Sequence, residues 1–353
     1  MIQLDKLRTS MKKEGIDGLL VMSPYNRRYL TNFTGSSGGA LVTEDKAMFI
    51  TDFRYVEQAQ KQAEGFDIVK HEGIIYEEIA NQVKALGINR LGFEKAYMTF
   101  QSYEILKGLV KAEIVPVSQL VENLRLIKSE SEIKILKEAA AIADAAFKHI
   151  LEFIQPGQTE LEVSNELEFF MRKCGATSSS FDTIVASGER SALPHGVASD
   201  KVIEKGDMIT LDYGAYYHGY VSDITRTIAV GEPSDQMKEI YHIVLEAQLK
   251  GMNEIKAGMT GKAADAITRD HITKAGYGQY FGHSTGHGIG LEVHEGPNLS
   301  SRSEMVLTPG MAVTVEPGIY LPGVGGVRIE DDTIITENGN EPLTHSTKDL
   351  IIL

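Results

Sequence analysis

The sequence predicts two domains, an α/β domain followed by a larger α+β domain with an internal repeat. Three observations predict this arrangement. Helical and strand-like patterns alternate over the first ~120 residues, a long amphipathic helix begins near residue 130, and sequence matches recur 101 positions apart in the remainder. We therefore expect residues 1–124 to form the first domain and residues 125–353 the second.

The first domain opens with an amphipathic helix over residues 3–15, followed by a buried strand over residues 18–22. Two apolar strands, 39–43 and 47–51, flank a short polar turn and predict a β-hairpin. Strand-like and helical patterns then alternate, as is typical of a mixed α/β domain. The strands are expected at 67–70, 90–94 and 113–117, and the helices near 54–64, 76–86 and 99–110.

A long helix is predicted to open the second domain. Ser129 and Glu132 have the spacing of a capping box, in which each residue satisfies a backbone donor of the first helical turn. The apolar stripe that follows has helical periodicity over about 25 residues.

The second domain contains two copies of one pattern. Each copy has a long helix, a tight turn, a shorter helix closed by a glycine, and then strands, so we expect an approximate internal symmetry. The matches, each 101 positions apart, are Ile154 with Ile255, Gly157 with Gly258, Thr159 with Thr260, Lys173 with Lys274 and Gly175 with Gly276.

The strands of the first copy are predicted to form a β-hairpin. Residues 208–216 and 220–228 alternate as strands and meet at a short turn. The turn is either His218-Gly219 or Tyr217-His218, and the choice sets how the two strands pair.

Both registers bring Asp212 and Asp223 within side-chain reach. With His218-Gly219 as the turn, Asp212 faces Thr225 and Asp223 lies diagonally across on the same face. With the earlier turn, the two aspartates are directly opposite. Their mutual repulsion would be relieved by a divalent cation. The alternative is that Asp223 caps a turn or pairs with Arg226.

Two more carboxylates lie at predicted strand ends. Glu316 ends the apolar strand 311–316 and precedes a Pro-Gly turn former, and Glu330 shares a strand face with Arg328. Between the hairpin and these strands, His287 lies in a glycine-rich segment that would let the backbone approach a ligand closely. A single histidine is more often a structural residue than a ligand. It is therefore the carboxylates and His287 together that indicate a metal site.

The candidate metal ligands form a mainly oxygen-rich set. Four carboxylates carry a charge of −4, which two divalent cations balance, so a dinuclear site is favoured over a single metal. Oxygen donors with one imidazole and no thiolate favour Mn²⁺, with Co²⁺ or Zn²⁺ able to bind. The candidate ligands are Asp212, Asp223, His287, Glu316 and Glu330.

Composition narrows the classes of partner. The 353 residues include 35 Lys and Arg against 49 Asp and Glu, a net charge of −14 that disfavours nucleic acid and anionic membrane surfaces. Cys174 is the only cysteine, which excludes an intramolecular disulfide and fits a reducing compartment. The first residues lack a signal-peptide pattern, and no segment has the ~20 apolar residues of a membrane span. We therefore expect a cytoplasmic protein.

These motifs together resemble the five-ligand signature of the pita-bread metallopeptidases, and among them the Xaa-Pro dipeptidases (prolidases) and aminopeptidase P. The first domain resembles the creatinase-type N-terminal domain of those enzymes, and the segment 191–196 also matches. The resemblance implies a pita-bread catalytic domain with pseudo-two-fold symmetry. The motifs that carry it are Asp212 and Asp223 eleven positions apart, Gly286-His287-Gly288, Glu316-Pro317-Gly318 and Arg328-Ile329-Glu330.

The resemblance also implies a role for each ligand. Asp212 would chelate one metal ion, His287 and Glu316 would hold the other, and Asp223 and Glu330 would bridge the two ions. Glu316 would act as the general base towards a water molecule that the ions activate.

Four further residues are implied to serve the reaction from outside the ligand set. His195 and His294 would bind substrate, stabilise the tetrahedral intermediate and assist proton transfer. His283 would line the substrate pocket, and Arg328 would orient the ligand carboxylates.

The implied substrate is a small peptide with proline at its second position, and many relatives of this kind are homodimers. Prolidases commonly carry an arginine that binds the dipeptide carboxylate near the position of Asn298, whereas here the nearest arginine is Arg302. Aminopeptidase P, which acts on longer Xaa-Pro peptides, is therefore the alternative. A metal-free creatinase-like hydrolase and a non-catalytic binding module are disfavoured, because the five-ligand set is intact.

Overall fold

The computed structural model describes residues 2–353, with side chains from residue 3 onward. The chain divides into two compact units, one ending at Arg125 and the other spanning Leu126–Leu353. No helix in the described part of the chain combines the length and apolarity that a bilayer crossing requires.

The N-terminal unit contains one six-stranded sheet with helices packed against it. The strands lie in the order β4-β3-β2-β1-β5-β6, and β1, β2 and β3 pair antiparallel while the outer pairings are parallel. Its strands are β1 (Gly18–Val21), β2 (Gly39–Thr43), β3 (Ala47–Thr51), β4 (Asp67–Lys70), β5 (Arg90–Glu94) and β6 (Glu113–Val117). Its helices are α1 (Ile2–Glu14), α2 (Pro24–Thr31), α3 (Val56–Gln62), α4 (Ile75–Ala85), α5 (Phe100–Leu109) and α6 (Glu122–Arg125).

The predicted helices and strands of this unit are confirmed, and the four-residue α6 was not predicted. Helix α2 was not predicted either. Its buried face is partly polar, so it lacks the apolar periodicity by which amphipathic helices are recognised. Asn26 donates to Glu94 at 2.7 Å, and Arg27 donates to the carbonyl oxygens of Gly35 and Gly38, both at 2.8 Å. These bonds satisfy polar groups that would otherwise be costly to bury.

The C-terminal unit packs four long helices against several short sheets. Its helices are α7 (Glu130–Phe153), α8 (Glu160–Lys173), α9 (Asp235–Glu254) and α10 (Gly261–Lys274). The strands of the first half are β7 (Ser178–Ser179), β8 (Ile184–Ser187), β9 (Met208–Tyr213), β10 (Ala215–Tyr217), β11 (Tyr220–Val221) and β12 (Ile224–Ala229). Those of the second half are β13 (Gly286–Gly288), β14 (Glu295–Leu299), β15 (Ala312–Val315), β16 (Gly318–Leu321), β17 (Gly325–Arg328), β18 (Asp331–Ile335) and β19 (Asn340–Pro342).

The predicted internal repeat is present at the level of individual caps. Thr159 caps α8 and Thr260 caps α10, each accepting a hydrogen bond from a backbone N–H three residues later. After these helices, Gly175 and Gly276 take positive φ angles of 107° and 91°, which glycine adopts without strain. The capping box of Ser129 and Glu132 at the start of α7 is likewise confirmed.

The hairpin with the two aspartates follows the His218-Gly219 register. Tyr217 pairs with Tyr220, and Asp212 pairs with Thr225. The prediction of two continuous strands is wrong, because the first breaks at Gly214 and the second before Ile224. A Cβ atom on Gly214 would lie 1.7 Å from the carbonyl oxygen of Ser222, so the two segments approach more closely there than a side chain permits.

Replacing Gly214 by alanine is therefore expected to lower the free energy of unfolding by about 3 kcal/mol, the upper range for overpacking a filled site. Gly108 provides the control, because it lies within α5 with open space around its Cβ position. Gly108→Ala should stabilise the protein by up to about 1 kcal/mol through helix propensity. Urea unfolding of both variants measures the contrast, and equal stabilities would contradict the packing argument.

The apolar core directs the polar faces of β9 and β12 away from the helices. Leu211 and Tyr213 of β9, like Ile224 of β12, belong to a buried cluster that also contains residues of α7 and α8. Since side chains alternate along a strand, Asp212 and Thr225 point to the opposite side. Core packing thus positions the polar side chains described next.

Candidate metal centre

One cavity in the C-terminal unit, of about 450 Å³, brings together all nine residues singled out from the sequence. Phe181, Ile184, Pro194, Val197 and Val293 add apolar wall to the same cavity. The nine polar residues are His195, Asp212, Asp223, His283, His287, His294, Glu316, Arg328 and Glu330.

Strand pairing places the carboxylates side by side. Val315 pairs with Asp331 at the ends of β15 and β18, so Glu316 and Glu330, one step further along each strand, come next to each other. Thr225, which pairs with Asp212, donates from its hydroxyl to Glu330 at 2.6 Å. The two halves of the repeat therefore meet at these strand ends.

Three of the candidate ligands already converge on one point. One ligand atom each from Asp223, His287 and Glu330 lies within 4.8 Å of the other two. The Nδ1 of His287 bonds to the carbonyl oxygen of Gly288 at 3.1 Å, which leaves Nε2 facing Glu316 at 3.4 Å and Asp223 at 3.8 Å. A ring held by one nitrogen and open at the other is the usual arrangement of a ligating histidine.

Unsatisfied oxygens indicate that a cation fits this site. Asp212 Oδ1, Asp223 Oδ1 and Glu330 Oε1 are buried and have no hydrogen-bond partner within the described chain. Burial raises the pKa of Asp223 well above its usual value, and Glu330 adds to the shift. Burial, with Glu316 next, does the same for the pKa of Glu330. Buried carboxylates without partners are costly, and divalent cations would satisfy them.

The remaining donors are also suited to metal binding. Burial lowers the pKa of His287 to about 4, with the neighbouring His294 contributing, so its imidazole is neutral at physiological pH as ligation requires. Burial raises the pKa of Glu316 to about 8, and a divalent cation would favour its ionised, ligating form. Thr314 donates to Glu316 Oε1 at 3.3 Å and supports the carboxylate from the preceding strand.

Arg328, which the resemblance implied to orient the ligand carboxylates, contacts one of them. Its guanidinium donates to Asp212 Oδ2, to the Thr225 hydroxyl at 3.1 Å and to the Tyr320 hydroxyl at 2.7 Å. The side chain is only 3% exposed, so these bonds fix it in one orientation. Asp212 consequently offers its other oxygen, Oδ1, to the cavity.

Two residues that support the site were not predicted from the sequence. Tyr320 accepts from Arg328 and lies 2.7 Å from His283 Nε2, linking a cavity histidine to the arginine. Asp332 accepts the backbone N–H of Asp223 at 2.8 Å, and its Oδ1 has no hydrogen-bond partner in the part of the chain that the structure describes. Strand alternation gave a signal for Asp332, which lies two residues beyond Glu330, whereas no local pattern identifies Tyr320.

The histidines differ in their exposure. His195 and His294 are exposed at the cavity wall, whereas the His287 side chain is 12% exposed. Asn298 also lines the cavity. Arg302 is exposed and is not among the residues that line the cavity.

Comparison with known proteins supports this interpretation of the chain. Residues 134–337 match the model of metallopeptidase family M24, and residues 3–127 match that of the creatinase/prolidase N-terminal domain. An Xaa-Pro dipeptidase from Bacillus anthracis is 68% identical with a TM-score of 0.99, the match covering 100% of this chain and 99% of that one.

Two further solved structures are similar over nearly the whole chain. The prolidase from Pyrococcus horikoshii is 44% identical with a TM-score of 0.95, covering 99% of this chain and 100% of that one. An X-Pro aminopeptidase from Thermotoga maritima is 41% identical with a TM-score of 0.91, covering 98% and 100%. The predicted creatinase-type N-terminal domain and pita-bread catalytic domain are confirmed. The chain belongs to metallopeptidase family M24.

Proposed function

We propose that this chain is a metal-dependent Xaa-Pro dipeptidase. The observation that carries the proposal is the convergence of unpartnered buried carboxylate oxygens and one open histidine nitrogen in a peptide-sized cavity. The enzymes named Xaa-Pro dipeptidase and prolidase among its relatives support the choice of substrate.

The proposed centre holds two divalent cations, with Mn²⁺ favoured by the oxygen-rich donor set. Asp212 would hold one ion, His287 and Glu316 the other, and Asp223 and Glu330 both. When bound, such ions supply a nucleophilic water at neutral pH and polarise the scissile carbonyl.

Glu316 is proposed to move the proton during hydrolysis. The peptide bond before proline has no N–H, and its nitrogen must gain a proton in order to leave. The Glu316 carboxylate lies at the cavity wall, with Oε2 3.9 Å from His283 Nδ1. It would accept a proton from the attacking water and return it to the proline nitrogen.

The exposed histidines are proposed to contact the substrate. His195 and His294 present their rings to the cavity, where an N–H would donate to the carbonyl oxygen as negative charge develops on it. His283 is held by Tyr320 and by the carbonyl oxygen of Ser284 at 2.8 Å. Its fixed ring forms a wall of the pocket.

Hydrolysis of an Xaa-Pro dipeptide by metal-free and Mn²⁺-loaded protein tests the proposal. We expect activity only in the loaded protein, with two Mn²⁺ per chain by elemental analysis. A chain that holds two ions and cleaves neither Xaa-Pro nor Xaa-Pro-Yaa would contradict a peptidase function and favour the binding-module alternative.

One observation favours aminopeptidase P as the second candidate. The uncharged Asn298 lines the cavity. By the resemblance, it lies near the position where prolidases commonly carry the arginine that binds the substrate carboxylate. The X-Pro aminopeptidase of Thermotoga maritima is also among the similar structures. Comparing kcat/KM for Xaa-Pro and Xaa-Pro-Yaa discriminates the two, because only the aminopeptidase should prefer the longer peptide.

Substitutions at Asn298 and Arg302 should affect dipeptide binding very differently. Asn298→Arg is expected to lower KM for Xaa-Pro by about ten- to a hundredfold, since a charge-assisted hydrogen bond contributes about 1.5–3 kcal/mol. Arg302→Ala should leave KM unchanged, because Arg302 is exposed outside the cavity wall. A C-terminally amidated substrate is the control. A rise in KM in Arg302→Ala with the free acid alone would contradict this assignment.

The resemblance supports two further proposals, a homodimer and a cytoplasmic location. Cys174 is exposed and forms no disulfide, which suits a reducing compartment. Analytical ultracentrifugation checks the dimer, and fractionation of cells that express the protein checks the location.

A further inference from the structure

Arg226 is a buried arginine behind the proposed metal centre, and all of its guanidinium N–H groups donate hydrogen bonds. Its side chain is 1% exposed, and a guanidinium has five N–H donors. The five acceptors are the carbonyl oxygens of Thr225, Glu330, Ser346 and Thr347 and the carboxylate of Asp331. One of these bonds is to the backbone of Glu330, a proposed ligand of both metal ions.

Asp331 likewise has all of its hydrogen-bond acceptor sites occupied. Its two oxygens accept four hydrogen bonds, which fill the lone-pair sites of a carboxylate. The donors are Arg226, Thr344, Gln248 and Lys348. Asp331 therefore has no oxygen free for a metal ion, in contrast to its neighbour Glu330, and instead joins Arg226 to Lys348.

The C-terminal segment, residues 343–353, is fixed on both sides of this network. Asp144 of α7 accepts the backbone N–H groups of His345 and Ser346 at 2.8 and 2.7 Å. Further on, the backbone of Ala229 on β12 bonds to Ile351 and Leu353, both at 2.9 Å. The carbonyl groups that hold Arg226 are thus themselves held in place.

We propose that Arg226 and Lys348, with the C-terminal segment, position Glu330 and so set the metal affinity of the centre. This inference rests on the proposed ligand set. Glu330 is held by its backbone carbonyl to Arg226, by its backbone N–H to Thr225 at 3.1 Å and by its carboxylate to the Thr225 hydroxyl. Without the bond from Arg226 to its carbonyl oxygen, Glu330 is free to move just before the start of β18, and its carboxylate moves with it.

Lys348 acts through Asp331. Its ammonium group contacts Asp331 Oδ2 at 2.5 Å, and Asp331 is fully buried. Without Lys348, Arg226 becomes the only cationic partner, among the described residues, of a buried carboxylate that has lost one of its hydrogen bonds. Asp331 can then shift with Arg226, and the bond from Arg226 to Glu330 loosens.

Mn²⁺ affinity, measured by equilibrium dialysis of the metal-free protein without substrate, tests the proposal. Arg226→Lys keeps the charge but offers three donors in place of five, and Lys348→Met removes the second cation. Each is expected to raise the Kd for Mn²⁺ by about ten- to a hundredfold, the range for residues that support metal ligands.

Two matched variants serve as controls. Arg27→Lys alters a buried arginine that also donates to backbone carbonyls, in the N-terminal unit. Lys201→Met breaks a pair with Asp207 in which the lysine is 26% exposed, against 23% for Lys348. Both should keep the wild-type Kd, even if they unfold at lower temperature.

The outcomes separate this proposal from the one on which it rests. Weaker Mn²⁺ binding in both test variants, with unchanged controls, supports it. A folded Arg226→Lys or Lys348→Met protein with wild-type Kd overturns it, and Lys348→Met decides alone if the arginine variant fails to fold. Equal weakening in the controls also overturns it. If the wild type binds none of Mn²⁺, Co²⁺ and Zn²⁺, the ligand set itself is wrong and this proposal falls with it.

Discussion

Replacing Asp223 by asparagine is expected to lower kcat for Xaa-Pro hydrolysis by more than about a hundredfold and to deplete bound metal. Mutating a residue that merely supports a metal ligand lowers metal affinity or activity by about ten- to a hundredfold. Mutating a ligand shared by both ions should therefore have a larger effect. Asp223 is 4% exposed, and its carboxylate lies with those of Asp212 and Glu330 in the cavity. Asparagine keeps the size of the side chain but removes the charge that offsets the cations.

Elemental analysis beside the activity assay decides the role of Asp223. Asp207→Asn is the control, because Asp207 is paired with Lys201 at 2.7 Å and does not line the cavity. It should keep both metal and turnover. An Asp223→Asn protein that held two ions per chain with wild-type kcat would refute the assignment of Asp223 as a ligand.

Local sequence patterns predicted the elements whose determinants are local. The ends of α8 and α10 follow from threonine caps and glycines that recur with the repeat. The turn residues narrowed the hairpin to two registers, and the structure adopts the one with His218-Gly219 as the turn. Strand alternation placed Asp212 and Glu330 on polar faces, because alternate positions in the same segments are apolar and enter the core. These are Leu211 and Tyr213 on either side of Asp212, and Val327 and Ile329 before Glu330. In each case the residues that decide the structure lie within a few positions of one another.

Such local patterns could not predict contacts between segments that are distant in the sequence. The sequence left open whether Arg226 pairs with Asp223, and the structure pairs it with Asp331, 105 positions away. That outcome removes Arg226 as a partner of Asp223, whose Oδ1 has no hydrogen-bond partner among the described residues. Tyr320 is similar, since its hydroxyl matters only because the fold brings His283 and Arg328 to it.

Replacing His294 by alanine is expected to lower kcat by about a hundredfold or more while leaving the metal content unchanged. That is the scale for losing one group that transfers a proton or stabilises a developing oxyanion. His294 is exposed at the cavity wall, and its ring centroid lies 4.3 Å from that of His287. It is therefore near the proposed ligands but open to substrate.

His287 and His294, whose rings are neighbours in the cavity, should thus respond differently to replacement by alanine. His287→Ala is expected to lose metal together with activity, because its Nε2 faces Asp223 and Glu316. His271→Ala, which alters a surface histidine paired with Glu246, should change neither quantity. If His294→Ala lost metal as His287→Ala does, His294 would be a ligand and the five-residue set would be wrong. Full metal with a reduced kcat would instead place His294 at the substrate, where an imidazole N–H can reach the carbonyl oxygen of the scissile bond.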